Sequence, residues 1–242
     1  MKEEYYLSDY KLFNDKLQDI PEGKVLISTL NAFCYTIARK DAEYAEALDK
    51  SQILIPDGVG VIFGIYFLTG RKLKKIAGAD LFYYEMSRLN SSGGSCFFLG
   101  SAERTLQKVK DRAASDFPNV RVHTSSPPFK SVFSHEDNDE MLLRINECNP
   151  DVLFVGMTAP KQEKWAYKNF ELLQTKHICC IGAVFDFYAG NIGRAPKILI
   201  NLGLEWLYRL LKEPQRLWKR YLIGNSVFIW LVIKEKFKII GK

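Results

Sequence analysis

Six short aliphatic and β-branched runs, spaced by segments of helix length, restrict this chain to few folds. They are KVLIST (24–29), QILIPD (52–57), SCFFLG (95–100), VRVHT (120–124), DVLFVGM (151–157) and HICCIGAVFDF (177–187). Runs this continuously apolar suit strands covered on both faces, the pattern of a mostly parallel sheet wrapped by helices. Segments 32–48, 102–116, 137–148 and 160–174 are long enough to be those helices. The expectation is an α/β fold with a mostly parallel, Rossmann-like sheet and helices on both faces. Ligands of such open sheets collect at the carboxyl ends of strands, so the polar residues just after each run are the ones to inspect.

Composition narrows the function. The chain has 242 residues, 47% of them hydrophobic, enough for a full core. Five cysteines without a C-x-x-C pair and three scattered histidines indicate neither a disulfide framework nor a structural zinc site. The N-terminal MKEEYYLSDY places charges where a signal peptide needs an apolar core, so a cytoplasmic location is expected. Net charge is +6, yet from Arg194 onward eleven Lys and Arg face three Glu, which leaves the first 193 residues slightly acidic. The division expected is an α/β catalytic domain over 1–193 and a basic, amphipathic helical appendage over 194–242. Such asymmetry suits a polyanion or an anionic membrane, and it also suits a merely solvated face.

Three strand ends carry candidate chemistry. After QILIP comes Asp57, followed by Gly58, Gly60 and Gly64, one residue away from a dinucleotide fingerprint. That fingerprint needs an acidic residue about 20 positions on, after a second strand, and the candidate Asp80 follows KKIAGA, which has no strand pattern. Asp57 can therefore be read as a substrate-facing carboxylate, as the cap of a helix starting near Val59, or as part of a nicotinamide site. In GMTAPKQEKW (156–165) a proline opens a helix whose N-terminus can meet a diphosphate, with Lys161 as a point charge and Gln162 as an amide for a hydroxyl or base edge. An ordinary βα turn explains the same residues. In IGAVFDFYAGNIGRAP (181–196), Asp186 follows an apolar run, so burial and an ion pair with Arg194 are expected.

The blocks TLN (29–31), PDGVG (56–60), AGAD (77–80), PDVLFVGMTAPKQEKW (150–165), GAVFDFYAG (182–190), RAP (194–196) and GLEWLYRLLKEPQRLWKRY (203–221) resemble the WecG/TagA/CpsF glycosyltransferases. Met157-Thr158 departs from the Leu-Gly more usual there, and Lys75 stands where relatives often carry arginine. The resemblance implies inverting transfer of a hexose or N-acetylhexosamine, with N-acetylmannosamine the first choice, from a UDP-sugar donor to a polyprenyl-diphosphate-linked sugar. It implies Asp57 as general base and Thr29 and Asn31 as sugar-positioning residues. Lys75, Asp80, Lys161, Gln162, Asp186, Arg194, Arg209, Arg216 and Arg220 complete the implied substrate site. It also implies no metal and no cofactor, and Asp137-Asn138-Asp139 reads as helix-capping charge in place of a metal-binding D-x-D.

In the tail, Asn201, Glu205, Arg209 and Lys212 form one polar stripe, and Arg216, Lys219 and Arg220 share a face. The apolar stretch 221–233 has 13 residues, short of the roughly 20 that spanning needs. The tail is expected to lie on the cytoplasmic face of the cell membrane and to supply arginines to the active site. A helical hairpin that only packs on the sheet is the plainer alternative. Nucleic acid is not an expected partner, and homo-oligomer formation is left open. Two other classes compete, a nicotinamide-dependent Rossmann oxidoreductase and a peripheral membrane adaptor without catalysis.

Overall fold

The computed structural model describes residues 4–193 and 195–240. Its centre is a six-stranded, wholly parallel sheet of β3 (Val25–Leu30), β4 (Ile53–Pro56), β5 (Ser95–Gly100), β6 (Arg121–Ser125), β7 (Val152–Gly156) and β8 (His177–Cys180). The strand order is β4-β3-β8-β7-β5-β6. A short antiparallel hairpin, β1 (Tyr5–Leu7) with β2 (Tyr10–Leu12), precedes it.

Alternation along the strands divides the core. Ile27, Ile55, Cys96, Phe98, Val152, Phe154 and Cys179 point to one face, covered by α4 (Gly78–Ser92), α5 (Glu103–Asp116) and α8 (Val184–Tyr188). Leu26, Phe97, Leu99, Leu153, Val155 and Ile178 point to the other, under α6 (His135–Cys148) and α7 (Lys161–Lys168). Farther along that second face, Leu30 and Leu54 meet α1 (Ala32–Ala38), α2 (Ala42–Asp49), α3 (Val59–Thr69) and α12 (Gly224–Ile240). Both faces are sealed, which is why the strands read as unbroken apolar runs.

Several expected boundaries move. The run from 177 to 187 is not one strand: β8 stops at Cys180, Gly182 turns the chain with φ +56°, and α8 follows. Segment 32–48 splits because the Asp41 carboxylate accepts the Tyr44 N–H and starts α2 afresh. The helix expected over 160–174 ends at Lys168, with the Asn169 side chain bonded to the Trp165 carbonyl.

The glycines after Asp57 form no dinucleotide loop. Gly58 is the N-cap of α3, with φ +88°, and Gly60 and Gly64 lie inside that helix. A Cβ on Gly64 would come within 3.1 Å of the Phe228 ring and 3.4 Å of Val232, and one on Gly60 within 3.3 Å of Ala32. These glycines let α1 and α12 approach the α3 backbone, which corrects the nicotinamide reading.

The tail is seated on the body. α9 (Lys197–Asn201), α10 (Glu205–Lys212) and α11 (Pro214–Trp218) lead through a π-helical turn, Lys219–Ile223, into α12. Phe228 and Val232 of α12 are almost fully buried against Tyr35, Val61 and Ile65. Among the described residues, no helix is long and apolar enough to cross a membrane.

Candidate active site

The sheet places its own crevice. The chain leaves β3 toward the face of α1, whereas it leaves the adjacent β8 toward the opposite face, into α8. Neighbouring strands whose connections diverge open a gap at their carboxyl ends. Asn31 and Gly182 follow the two strands that border this gap, β3 and β8, and Asp57 follows β4, the neighbour of β3.

Backbone bonds hold the crevice rim. The Asp57 N–H donates to the Leu30 carbonyl at 2.9 Å, extending the β3–β4 pairing by one residue. The Ile76 N–H returns to the Pro56 carbonyl at 3.1 Å, bringing Lys75 back beside Asp57. Asn31 accepts the Cys34 N–H at 3.0 Å and so caps α1, and its Cβ would lie 3.7 Å from a Cβ on Gly58. Thr29, nearly buried, stands on the α4 face of β3 beside Ile55.

Asp57 does not cap α3: Gly58 is the cap residue and takes no side-chain bond. Among the described residues its carboxylate has neither hydrogen bond nor ion pair, and its surface is only partly open. Loss of hydration is the main influence on it, pushing its pKa up to about 6. The Lys75 and Arg220 cations oppose that rise, and the Glu205 and Asp80 carboxylates reinforce it. An acid poised near neutrality at a strand end, free of structural partners among the described residues, has the properties of a general base.

The tail closes over this point. Lys75 Nζ lies 4.0 Å from Glu205 of α10, and Gly203, just before α10, packs on Val59 of α3. The Arg209 guanidinium sits 5.0 Å from the Phe187 ring centroid on α8, and that of Arg220, in the π turn, 4.7 Å from Phe33 on α1. Each keeps a buried Nε with no partner among the described residues. Arg216 is exposed and paired with Glu213. Arg220 turns inward and Arg216 does not, so the face they were expected to share does not form.

Other expected site residues are more dispersed. Asp80 is exposed, and its carboxylate accepts the Ala77 N–H at 2.8 Å at the start of α4. Gln162 is 3% exposed, beside Gly182 at the β8 end; its amide donates to Glu163 at 2.8 Å and its Oε1 has no partner among the described residues. The Lys161 ammonium is directed away, to the Lys130 carbonyl and over the Phe133 ring at 3.6 Å, and loss of hydration lowers its pKa. Asp186 is only half-buried and accepts the Asn191 side-chain amide at 3.3 Å, which corrects the buried position expected for it. Its expected partner Arg194 lies outside the described residues. Asp137 accepts the Ser134 N–H at 2.8 Å and pairs with Lys130 at 2.9 Å, as helix capping requires, while Asp139 is exposed.

Four neighbours of the site escaped the strand-end argument: Phe33, Glu163, Phe187 and Glu205. Glu163 is fully buried, and burial pushes its pKa up to about 7 against the Gln162 amide and the Arg220 charge. Its place in PKQEKW was a signal, and so was the 205/209 spacing on the polar stripe. Phe33 and Phe187 carried none, because an aromatic that supports a guanidinium looks like any core aromatic.

Residues 8–241 match the family described as "Glycosyl transferase WecG/TagA/CpsF family". The chain is 31% identical over 213 residues to the N-acetylglucosaminyldiphosphoundecaprenol N-acetyl-beta-D-mannosaminyltransferase of Bacillus subtilis (strain 168), a match covering 88% of this chain and 81% of that protein. A protein of the same name from Bacillus spizizenii is 32% identical over 200 residues, 82% of this chain and 75% of its own length.

Proposed function

The chain belongs to the WecG/TagA/CpsF family and is a glycosyltransferase, and from that premise we propose that it moves N-acetylmannosamine from a UDP donor to N-acetylglucosamine on undecaprenyl diphosphate. The two Bacillus relatives, named for that acceptor and a β-linked product, support this choice. The product class is then a teichoic acid linkage unit or another cell-surface polysaccharide, made by a peripheral enzyme on the cytoplasmic face of the membrane.

The observation that carries the reading is the Asp57 carboxyl beside the β3–β8 crevice, without a hydrogen-bond or ion-pair partner among the described residues and pushed by loss of hydration up to a pKa of about 6, against the charges of Lys75 and Arg220. Asp57 takes the proton from the acceptor hydroxyl as its oxygen attacks the anomeric carbon. The bond from that carbon to the UDP oxygen breaks on the opposite face, inverting the centre, and UDP leaves with the bonding electrons. Arg209 and Arg220, each with an Nε unpaired among the described residues, meet the growing charge on the diphosphate, and Arg216 and Arg194 are candidates to add to it. Gln162 offers its Oε1, unpaired among the described residues, to the donor, with Thr29 and Asn31 near the sugars.

The test is a panel of UDP-sugars with a short-chain prenyl-diphosphate N-acetylglucosamine acceptor. UDP release should be fastest with UDP-N-acetylmannosamine, and Asp57→Asn should reduce kcat by about 10²- to 10⁴-fold with UDP affinity kept. Equal turnover by the Asn variant would remove Asp57 from the mechanism.

A further inference from the structure

We propose that the outer face of α3 contacts lipid directly, so that α3 and α12 form a single membrane-facing wall beside the active-site crevice. This rests on the peripheral-membrane reading above and assigns part of the contact to the body of the enzyme as well as to the tail.

Helix packing determines which residues face outward. Gly60 and Gly64 of α3 meet Phe228 and Val232 of α12, and the Lys236 ammonium reaches the Leu68 carbonyl at 2.9 Å. Position 60 thus pairs with 228, 64 with 232 and 68 with 236, so the helices run side by side in one direction. Residues flanking that seam share a surface. On α3 they are Val59, Phe63, Tyr66 and Phe67, all exposed, with the Phe63 and Phe67 rings stacked at 6.2 Å. On α12 they are Ile229, Ile233 and Phe237, with Trp230 alongside, again all exposed. Both sets follow helical spacing.

Eight large apolar side chains on adjoining helices, five of them aromatic, are not the scattered exposure ordinary on protein surfaces. The rim is cationic: Arg71, Lys72 and Lys74 follow α3, and Lys234 and Lys238 border α12. Aromatic residues within a basic rim fit the interface of an anionic bilayer. The wall starts two residues after Asp57, so lipid contact through α3 sets the height of that carboxyl above the bilayer.

The experiment compares the full chain with a Phe63→Ser/Tyr66→Ser variant and a Lys234→Glu/Lys238→Glu variant. Each is sedimented with phosphatidylglycerol–phosphatidylcholine vesicles at about 0.1 M and about 1 M salt, where screening lengths are ~10 Å and ~3 Å. At high salt the wild type and the charge variant should bind alike, and the aromatic variant should partition about tenfold less, with unchanged melting and unchanged turnover of a water-soluble acceptor. Wild-type vesicle binding by the aromatic variant at both salts, beside a charge variant that fails at low salt, would overturn the α3 wall and leave the membrane reading standing. Absence of vesicle binding by all three proteins would overturn both. Loss of self-association with unaltered vesicle binding would assign the wall to a second copy of the chain and overturn the proposal.

Discussion

The ammonium of Lys75 lies 4.0 Å from the carboxylate of Glu205, joining the loop after α3 to the first turn of α10 beside Asp57. The two charges act on Asp57 in opposite senses, Lys75 favouring its ionised form and Glu205 disfavouring it. A base must be ionised to work, so kcat/KM should rise with pH to a plateau above about pH 6. Glu205→Gln should move that acid limb to lower pH and Lys75→Met to higher pH, both read from the pH profile of kcat/KM. An unmoved limb in both variants would mean that another group controls it.

The tail arginines should separate by position. Arg220→Ala and Arg209→Ala each remove a guanidinium seated on an aromatic ring at the crevice, and each should lower kcat by about tenfold or more at a cost of about 2.7–4 kcal/mol at most. Arg216→Ala, at an exposed position, should have a smaller effect on turnover of a soluble acceptor. Equal losses in all three would indicate that Arg216 moves inward when substrate binds.

Gly64 tests how the tail is attached. Gly64→Val would place branched carbons against a Phe228 ring already 3.1 Å from a bare Cβ, and overpacking of this kind costs about 1–3 kcal/mol. Thermal melting should drop, and α12 should become more sensitive to limited proteolysis than β5 or β7. An unchanged melting point would show that α12 contributes little to the stability of the body.

Glu163 makes stability depend on pH. Its pKa is raised to about 7 in the folded chain, above the 4.5 of a free glutamate, so the folded state keeps a proton that the unfolded state has lost between those values. Its contribution is complete below about pH 4.5 and is lost as pH rises through about 7. Glu163→Gln mimics the protonated form and should flatten the fall in stability between pH 5 and pH 8, as followed by denaturant unfolding. A slope equal to that of the wild type would place the titration elsewhere.

Asp137 and Asp139 should not hold a catalytic metal. Asp137 is committed to Ser134 and Lys130, so Asp137→Ala should lower the melting temperature slightly through loss of its half of the capping box, and Asp139→Ala should be neutral. Both variants should retain transferase activity, and a chelator should not abolish it. Chelator inactivation reversed by Mn²⁺ would refute this.

From sequence alone the chain yields its fold class, because a strand buried on both faces must be apolar throughout and the six such runs stand out. It also directs attention to the strand ends, where the family motifs make Asp57 the candidate base. Order across the sheet was not legible, since any of these apolar runs could pair with any other. Only the packed structure puts β3 beside β8 and opens the crevice between them. Gly60 and Gly64 looked like a phosphate loop because spacing cannot tell a turn from a close helix crossing; Phe228, more than 160 residues later, decides it. Arg216 and Arg220 are four residues apart and were expected to point one way. The π turn at Lys219–Ile223 shifts the helical phase, and with Phe33 waiting on α1, it sends the Arg220 guanidinium inward onto that ring and leaves that of Arg216 in water. Local pattern depends on neighbours along the chain, whereas a charge's environment depends on neighbours in space, and those exist only after folding.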